Sequence, residues 1–192
     1  MASVVRTKRW SRIEYERLID LGIFHEDERL ELLGGNLVVR EPQGDPHALA
    51  IELCQDALRA ALGPGWRVRV QLPVALDDES EPEPDLSVVQ GRLREITGRS
   101  IPSDPVLIVE VAESSLAFVR RDKGGLYARA GVADYWIVNL VDRVLEVYRE
   151  PAPDPEAPIG WRYHAVDTLG REGFVAPLAA PHARLAVADL LP

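Results

Sequence analysis

The stretch VLIVEVA, residues 106–112, constrains the fold most. Six of its seven residues are apolar and mostly β-branched, the composition of a strand buried on both faces. A strand of that kind belongs inside a sheet with further layers packed on it. Glu110 nevertheless stands in its middle. An isolated ionised carboxylate there costs several kcal/mol or more unless something compensates its charge, so the strand also demands a partner.

The flanking sequence supplies the rest of a mixed α/β sheet. SRIEYERLIDLG carries a capping box, Ser11 with Glu14 three residues on, and Gly22 to close the helix. RLELL-GG-NLVVR reads as a hairpin turning at Gly34-Gly35. DPHALAIELCQDALRAALGPG is the clearest helix, with Asp45 expected as its cap, Pro46 in the first turn and Gly63-Pro64-Gly65 as its stop. Strands are expected in WRVRVQLPVAL, LSVV, DYWIVNL, RVLEVYRE and WRYHAVDTL, and a helix over 114–130. The proline-rich EPAPDPEAPIG reads as a surface loop, and ARLAVADLLP as a short final helix. With 192 residues the chain suits a single domain, 1–192.

Composition narrows the function classes. A net charge of −9, from 31 acids against 22 bases, tells against a protein that coats nucleic acid nonspecifically, because that needs an excess of Lys and Arg. It leaves room for an enzyme acting through a local basic rim. No apolar run is long enough for a membrane span. The one cysteine, Cys54, excludes an internal disulfide framework and fits a reducing, cytoplasmic setting; it reads as a small core hydrophobe.

The four histidines are scattered, and neither a GxSxG elbow nor a phosphate loop is present. Carboxylates and one oddly placed lysine remain. Glu110 shares its strand face with Val106, Ile108 and Ala112. Asp85 opens the preceding strand directly after Pro84, which enforces an extended approach. Two carboxylates near the ends of neighbouring strands could converge on one cation such as Mg²⁺, which needs only one or two of them beside water and phosphate. At 100° per residue, Lys123 falls within the apolar stripe of Val119, Leu126 and Ala130, while Arg121, Gly124 and Ala128 point away. Its ammonium would meet Glu110, either as a phosphodiester-cleaving site with a metal or as a buried structural ion pair. His47, near a helix start, reads as a capping or supporting residue.

EPEPDLSVV, LIVEVAESSL and RRDKGGLYARAGVADYWIVNL together resemble the Uma-two family of endonucleases, a branch of the PD-(D/E)xK nuclease superfamily, and the similarity spans nearly the whole chain. The resemblance implies a restriction-endonuclease-like fold and Mg²⁺-dependent DNA cleavage, with Mn²⁺ as a possible substitute. Pro84-Asp85 matches the PD element, Glu110 the central acid, Lys123 the lysine carried on the following helix, and Glu31 a further early acid. Asp85 and Glu110 would hold the metal with the backbone carbonyl of Val111. One departure stands out: family members commonly carry Asp four residues before the lysine, where this chain has Val119, and Asp122 is out of that register. The alternative is a catalytically silent member that binds DNA or a protein partner. Arg92, Arg94, Arg99, Arg120, Arg121 and Arg129 are candidates for a DNA path, half of them expected only to solvate the surface. A homodimer is expected, since duplex cleavage with one metal per site calls for two sites related by a two-fold axis, with DYWIVNL and the edge strands after it as the contact.

Overall fold

The computed structural model describes residues 7–25, 28–40, 42–91 and 101–192; the arginines at 92, 94 and 99 lie outside them. Six strands form the main sheet in the order β3 (Trp66–Val70), β4 (Leu86–Gln90), β5 (Leu107–Ala112), β6 (Asp134–Asn139), β7 (Val144–Pro153) and β8 (Trp161–Leu169). Only β5 and β6 pair in parallel. Parallel neighbours need a crossover, supplied by a helical run: α3 (Leu116–Phe118), a π segment (Val119–Lys123) and α4 (Gly124–Arg129). The hairpin β1 (Leu30–Leu33) and β2 (Asn36–Val39) lies outside this sheet, touching the loop before β4 through the bridge from Leu32 to Glu81.

The residues of β5 divide between two cores. Leu107, Val109 and Val111 pack with Ala50, Ile51, Cys54 and Leu58 of α2 (Asp45–Leu62). Ile108 and Ala112 face the other way, under Val119, Tyr127 and Ala128 of the helical run. Glu110 shares that second face. Each Leu or Ile buried here contributes about 1.5–3 kcal/mol, enough in aggregate to hold one inward carboxylate. Val106 precedes the strand and packs against the α2 core instead, so it is not a period-2 partner of Glu110. Burial pushes the Cys54 thiol up to about 12, which makes it the inert hydrophobe its sequence context suggests.

Several expectations are corrected. Gly44, not Asp45, caps α2, and Asp45 lies in the first turn, where its charge complements the helix dipole. β3 stops at Val70, because Gln71 takes a positive φ of 48° and Pro73 follows. The EPAP of the proline-rich stretch is strand: β6 pairing ends at Arg149, so Pro151 and Pro153 pair with β8 alone and their missing N–H groups can face away. The C-terminal segment forms β10 (Leu185–Ala186), paired antiparallel with β9 (Phe174–Val175), and a 3₁₀ turn (Val187–Asp189) rather than an α-helix. The capping box at Ser11 and Glu14 is present at α1 (Arg12–Asp20). β6 lies between β5 and β7 with all six residues buried, so DYWIVNL cannot be a subunit contact.

The π segment changes the helix facing. An i→i+5 turn holds more residues than the 3.6 assumed by a 100° step, and Gly124 and Ala128, expected to point outward, are buried. Gly125 is required to be glycine, since a Cβ there would stand 2.8 Å from Ile159 Cγ1. No helix among the described residues is long and apolar enough to cross a membrane.

Candidate active site

Extending the antiparallel pairing of Leu86 with Val109 by one residue sets Asp85 opposite Glu110. Directly opposed residues share a face, so both carboxylates enter one cleft of about 390 Å³, lined also by Glu31, Arg40, His47 and Lys123. The partner that the Glu110 strand demands is Lys123, whose Nζ lies 3.0 Å from Glu110 Oε1 and 3.0 Å from Glu31 Oε2. Tyr127, one turn along the helix, donates to Glu110 Oε1 at 2.6 Å. Glu31, Asp85, Glu110 and Lys123 are all buried. The fold thus brings together all four side chains singled out in the sequence.

Asp85 is held by groups that sequence reasoning missed or left open. Its Oδ2 accepts the Val111 N–H at 2.9 Å and lies 3.1 Å from His47 Nε2. Its Oδ1 accepts from Gln43 Nε2 at 3.1 Å and faces Arg40 Nη2 at 3.4 Å. Gln71 fixes Gln43 in turn, donating to its Oε1 at 2.8 Å. Arg40 also reaches Glu31 Oε1 and Glu83 Oε2, each at 3.2 Å. Arg40 follows the hairpin and Gln43 precedes α2 without any helical or strand periodicity to mark them as inward; Tyr127 reads simply as an apolar-stripe aromatic. The Ala112 carbonyl accepts from Leu140 N on the β6 side. Strand alternation therefore turns the Val111 carbonyl toward β4, past that strand's end and beside Asp85.

The charges do not balance. Three buried carboxylates, with half-buried Glu83 at the edge, face two permanent cations, Arg40 and Lys123, and one titratable group, His47. Burial raises the Glu110 carboxyl above its ordinary value, aided by Asp85 and Glu31 and opposed by Lys123. Burial alone would also raise Asp85, yet His47 and the Val111 N–H outweigh it and hold this carboxyl low. Burial depresses the Lys123 ammonium, but Glu110 and Glu31 overcome it and keep the lysine charged.

A hard divalent cation fits this surplus of oxygen and negative charge. Among the described residues no three His, Cys, Asp or Glu side chains form a ready metal cluster. The groups that could hold such a cation are Asp85, Glu110 and the Val111 carbonyl, with water, a composition of the kind Mg²⁺ takes. An ionised carboxylate has about four lone-pair sites, and four donors already surround Asp85, so a cation there must displace one of them.

The sequence profile of the Uma2 family, described as "Putative restriction endonuclease", matches residues 13–187. This chain belongs to the Uma2 family. A crystal structure described as "a putative nuclease belonging to DUF820", from Anabaena variabilis ATCC 29413, matches the Uma2 chain with a TM-score of 0.69 at 17% identity, covering 94% of this chain and 97% of that one. At that identity the likeness shows the fold alone, a mixed sheet flanked by helices. No curated protein matches. Val119 of this Uma2 chain is buried at the start of the π segment, its carbonyl accepting from Tyr135 Oη at 2.9 Å. Asp122 pairs outward with Arg121 at 3.0 Å, so the carboxylates beside Lys123 are Glu31 and Glu110. Arg120, Arg121 and Arg129 are each paired with a carboxylate, of Glu146, Asp122 and Asp77 respectively.

Proposed function

We propose that this Uma2 protein is a Mg²⁺-dependent endonuclease that hydrolyses phosphodiester bonds in DNA. The observation that carries the reading is the buried group of Asp85, Glu110, Glu31 and Lys123, with more negative charge than its own cations neutralise. A bound divalent cation would polarise the scissile phosphoryl oxygen and lower the pKa of a coordinated water. Asp85, Glu110 and the Val111 carbonyl would hold it. Lys123 Nζ orients the attacking water or stabilises the negative charge that develops on the phosphate oxygens. Glu31 and Tyr127 fix Lys123 and Glu110 in place. The silent-member alternative draws on Val119 and on the acidic net charge of −9.

Incubation with supercoiled plasmid separates the two readings. Nicking is expected with Mg²⁺ or Mn²⁺ and none in EDTA, with Asp85→Asn reducing it by a hundredfold or more, on the order of the loss of a supporting metal contact or greater. No nicking with either cation, or undiminished nicking by Asp85→Asn, defeats the proposal.

Cleavage of both strands also calls for two copies. We place the contact at an edge of the sheet, since β6 is internal; β8 is an edge strand with Val166 exposed. Light scattering at micromolar concentration should then give twice the 21.3 kDa chain mass; a mass of one chain opposes a stable dimer.

A further inference from the structure

We infer that Arg40 is a built-in counter-cation that competes with the divalent ion for the carboxylates of the cleft. The inference rests on the metal reading above. The Arg40 guanidinium spans three acids from two places in the chain: Glu31 on β1, and Glu83 and Asp85 in the segment just before β4. It closes a two-pronged contact with none of them. Its distances of 3.2, 3.2 and 3.4 Å are longer than the 2.7–2.9 Å or so of a strong N⁺–H···O⁻ bond. It is thus held by the summed field of several acids rather than by one fitted partner. Its backbone is fixed separately, Arg40 N donating to Arg29 O at 2.7 Å. The side chain can therefore leave the carboxylates for the cleft without unzipping the hairpin.

The lone pairs of Asp85 make this a competition. Val111 N–H and Gln43 hold Asp85 at 2.9 and 3.1 Å, whereas the Arg40 contact at 3.4 Å is its longest. A cation arriving at Oδ1 meets Arg40 as the weakest donor and the one of like charge. Two positive charges within a few ångströms of the same carboxylates repel, so Arg40 lowers affinity for the ion while neutralising the ion-free site. Displaced into the cleft, the same guanidinium would present a planar fork that fits an anion such as a phosphate.

The test uses the full chain and Mn²⁺, whose binding is read by electron paramagnetic resonance with no substrate present. Arg40→Gln should bind Mn²⁺ on the order of tenfold or more tightly than the wild type, the scale on which one neighbouring charge shifts an ionic equilibrium. Arg40→Lys is the second variant: one ammonium cannot span all three acids, so it should also bind more tightly than wild type, by less. If Arg40→Gln folds only when Mn²⁺ is supplied, that too supports exchange of one cation for the other. Unchanged or weaker binding by the variants that fold, beside a wild type that binds, overturns the inference and leaves the metal site standing. Absence of Mn²⁺ binding in both wild type and variants removes the metal reading and this inference with it.

Discussion

Lys123→Met should destabilise the ion-free protein by roughly 3–5 kcal/mol, the cost of removing one partner from a buried charge pair. Methionine preserves the length of the stem within the apolar face of the helical run, so packing is not the main loss. What is lost is the ammonium 3.0 Å from both Glu110 and Glu31. The two buried carboxylates would be left with Tyr127 Oη and Arg40 as their remaining donors. Saturating Mg²⁺ should restore most of the stability, because the cation replaces the missing charge, while cleavage remains down by a hundredfold or more, as for the loss of a transition-state donor. Thermal melts with and without Mg²⁺, run beside the plasmid assay, test both halves. A variant that melts far below wild type even in Mg²⁺, from a wild type that never nicks, would make Lys123 a structural ion-pair partner alone.

The main elements of the fold were legible where one physical rule acted alone. The doubly covered β5 follows from an unbroken β-branched run, the hairpin from its paired glycines, and α1 from a capping box that forms as expected. Rules that compete with tertiary pairing were less legible: a proline-rich stretch stays in β7 only because its neighbour β6 has already ended. The placement of Glu110 and Lys123 was readable because each breaks an otherwise apolar face, and burial makes such a break expensive. The inward face of Lys123 survived the π segment, but the facing of Gly124 and Ala128 did not, because nothing in VRRDK announces an i→i+5 turn. Arg40, Gln43 and His47 were opaque for a different reason. Arg40 and Gln43 lie in the irregular segment before α2 and His47 in its first turn, and only the folded chain brings them to Asp85, 38 or more residues away in sequence.

Glu110→Gln should have the opposite effect on the ion-free protein from Lys123→Met, while also abolishing cleavage. Burial raises the Glu110 carboxyl, helped by Asp85 and Glu31, despite Lys123 beside it. An acid raised in the folded state contributes stability that is fully present below its ordinary value of 4.5 and lost as pH rises through the folded value. Without metal, the wild type should therefore weaken from about pH 4.5 upward on account of this group. Asp85 works in the other sense: held low, it adds stability above its ordinary 3.8 that is lost only at more acid pH. Glutamine keeps an Oε1 that can accept from Tyr127 and Lys123, carries no charge to desolvate, and leaves Lys123 its second counter-charge, Glu31, at 3.0 Å. At pH 8 without metal, Glu110→Gln should match or exceed wild type in stability, and the difference should close toward pH 4.5. Mg²⁺ should then raise the melting temperature of the wild type far more than that of the variant, and nicking should fall by a hundredfold or more, at least the loss seen when a metal ligand's support is removed. Chemical denaturation at pH 4.5 and pH 8, with and without Mg²⁺, measures this directly. A variant less stable than wild type at pH 8, yet stabilised by Mg²⁺ to the same extent, would mean that Glu110 serves Lys123 rather than a metal ion. If these measurements hold, Glu110 is kept although its charge lowers the stability of the ion-free protein, as in a functional site where local stability is given up for chemistry.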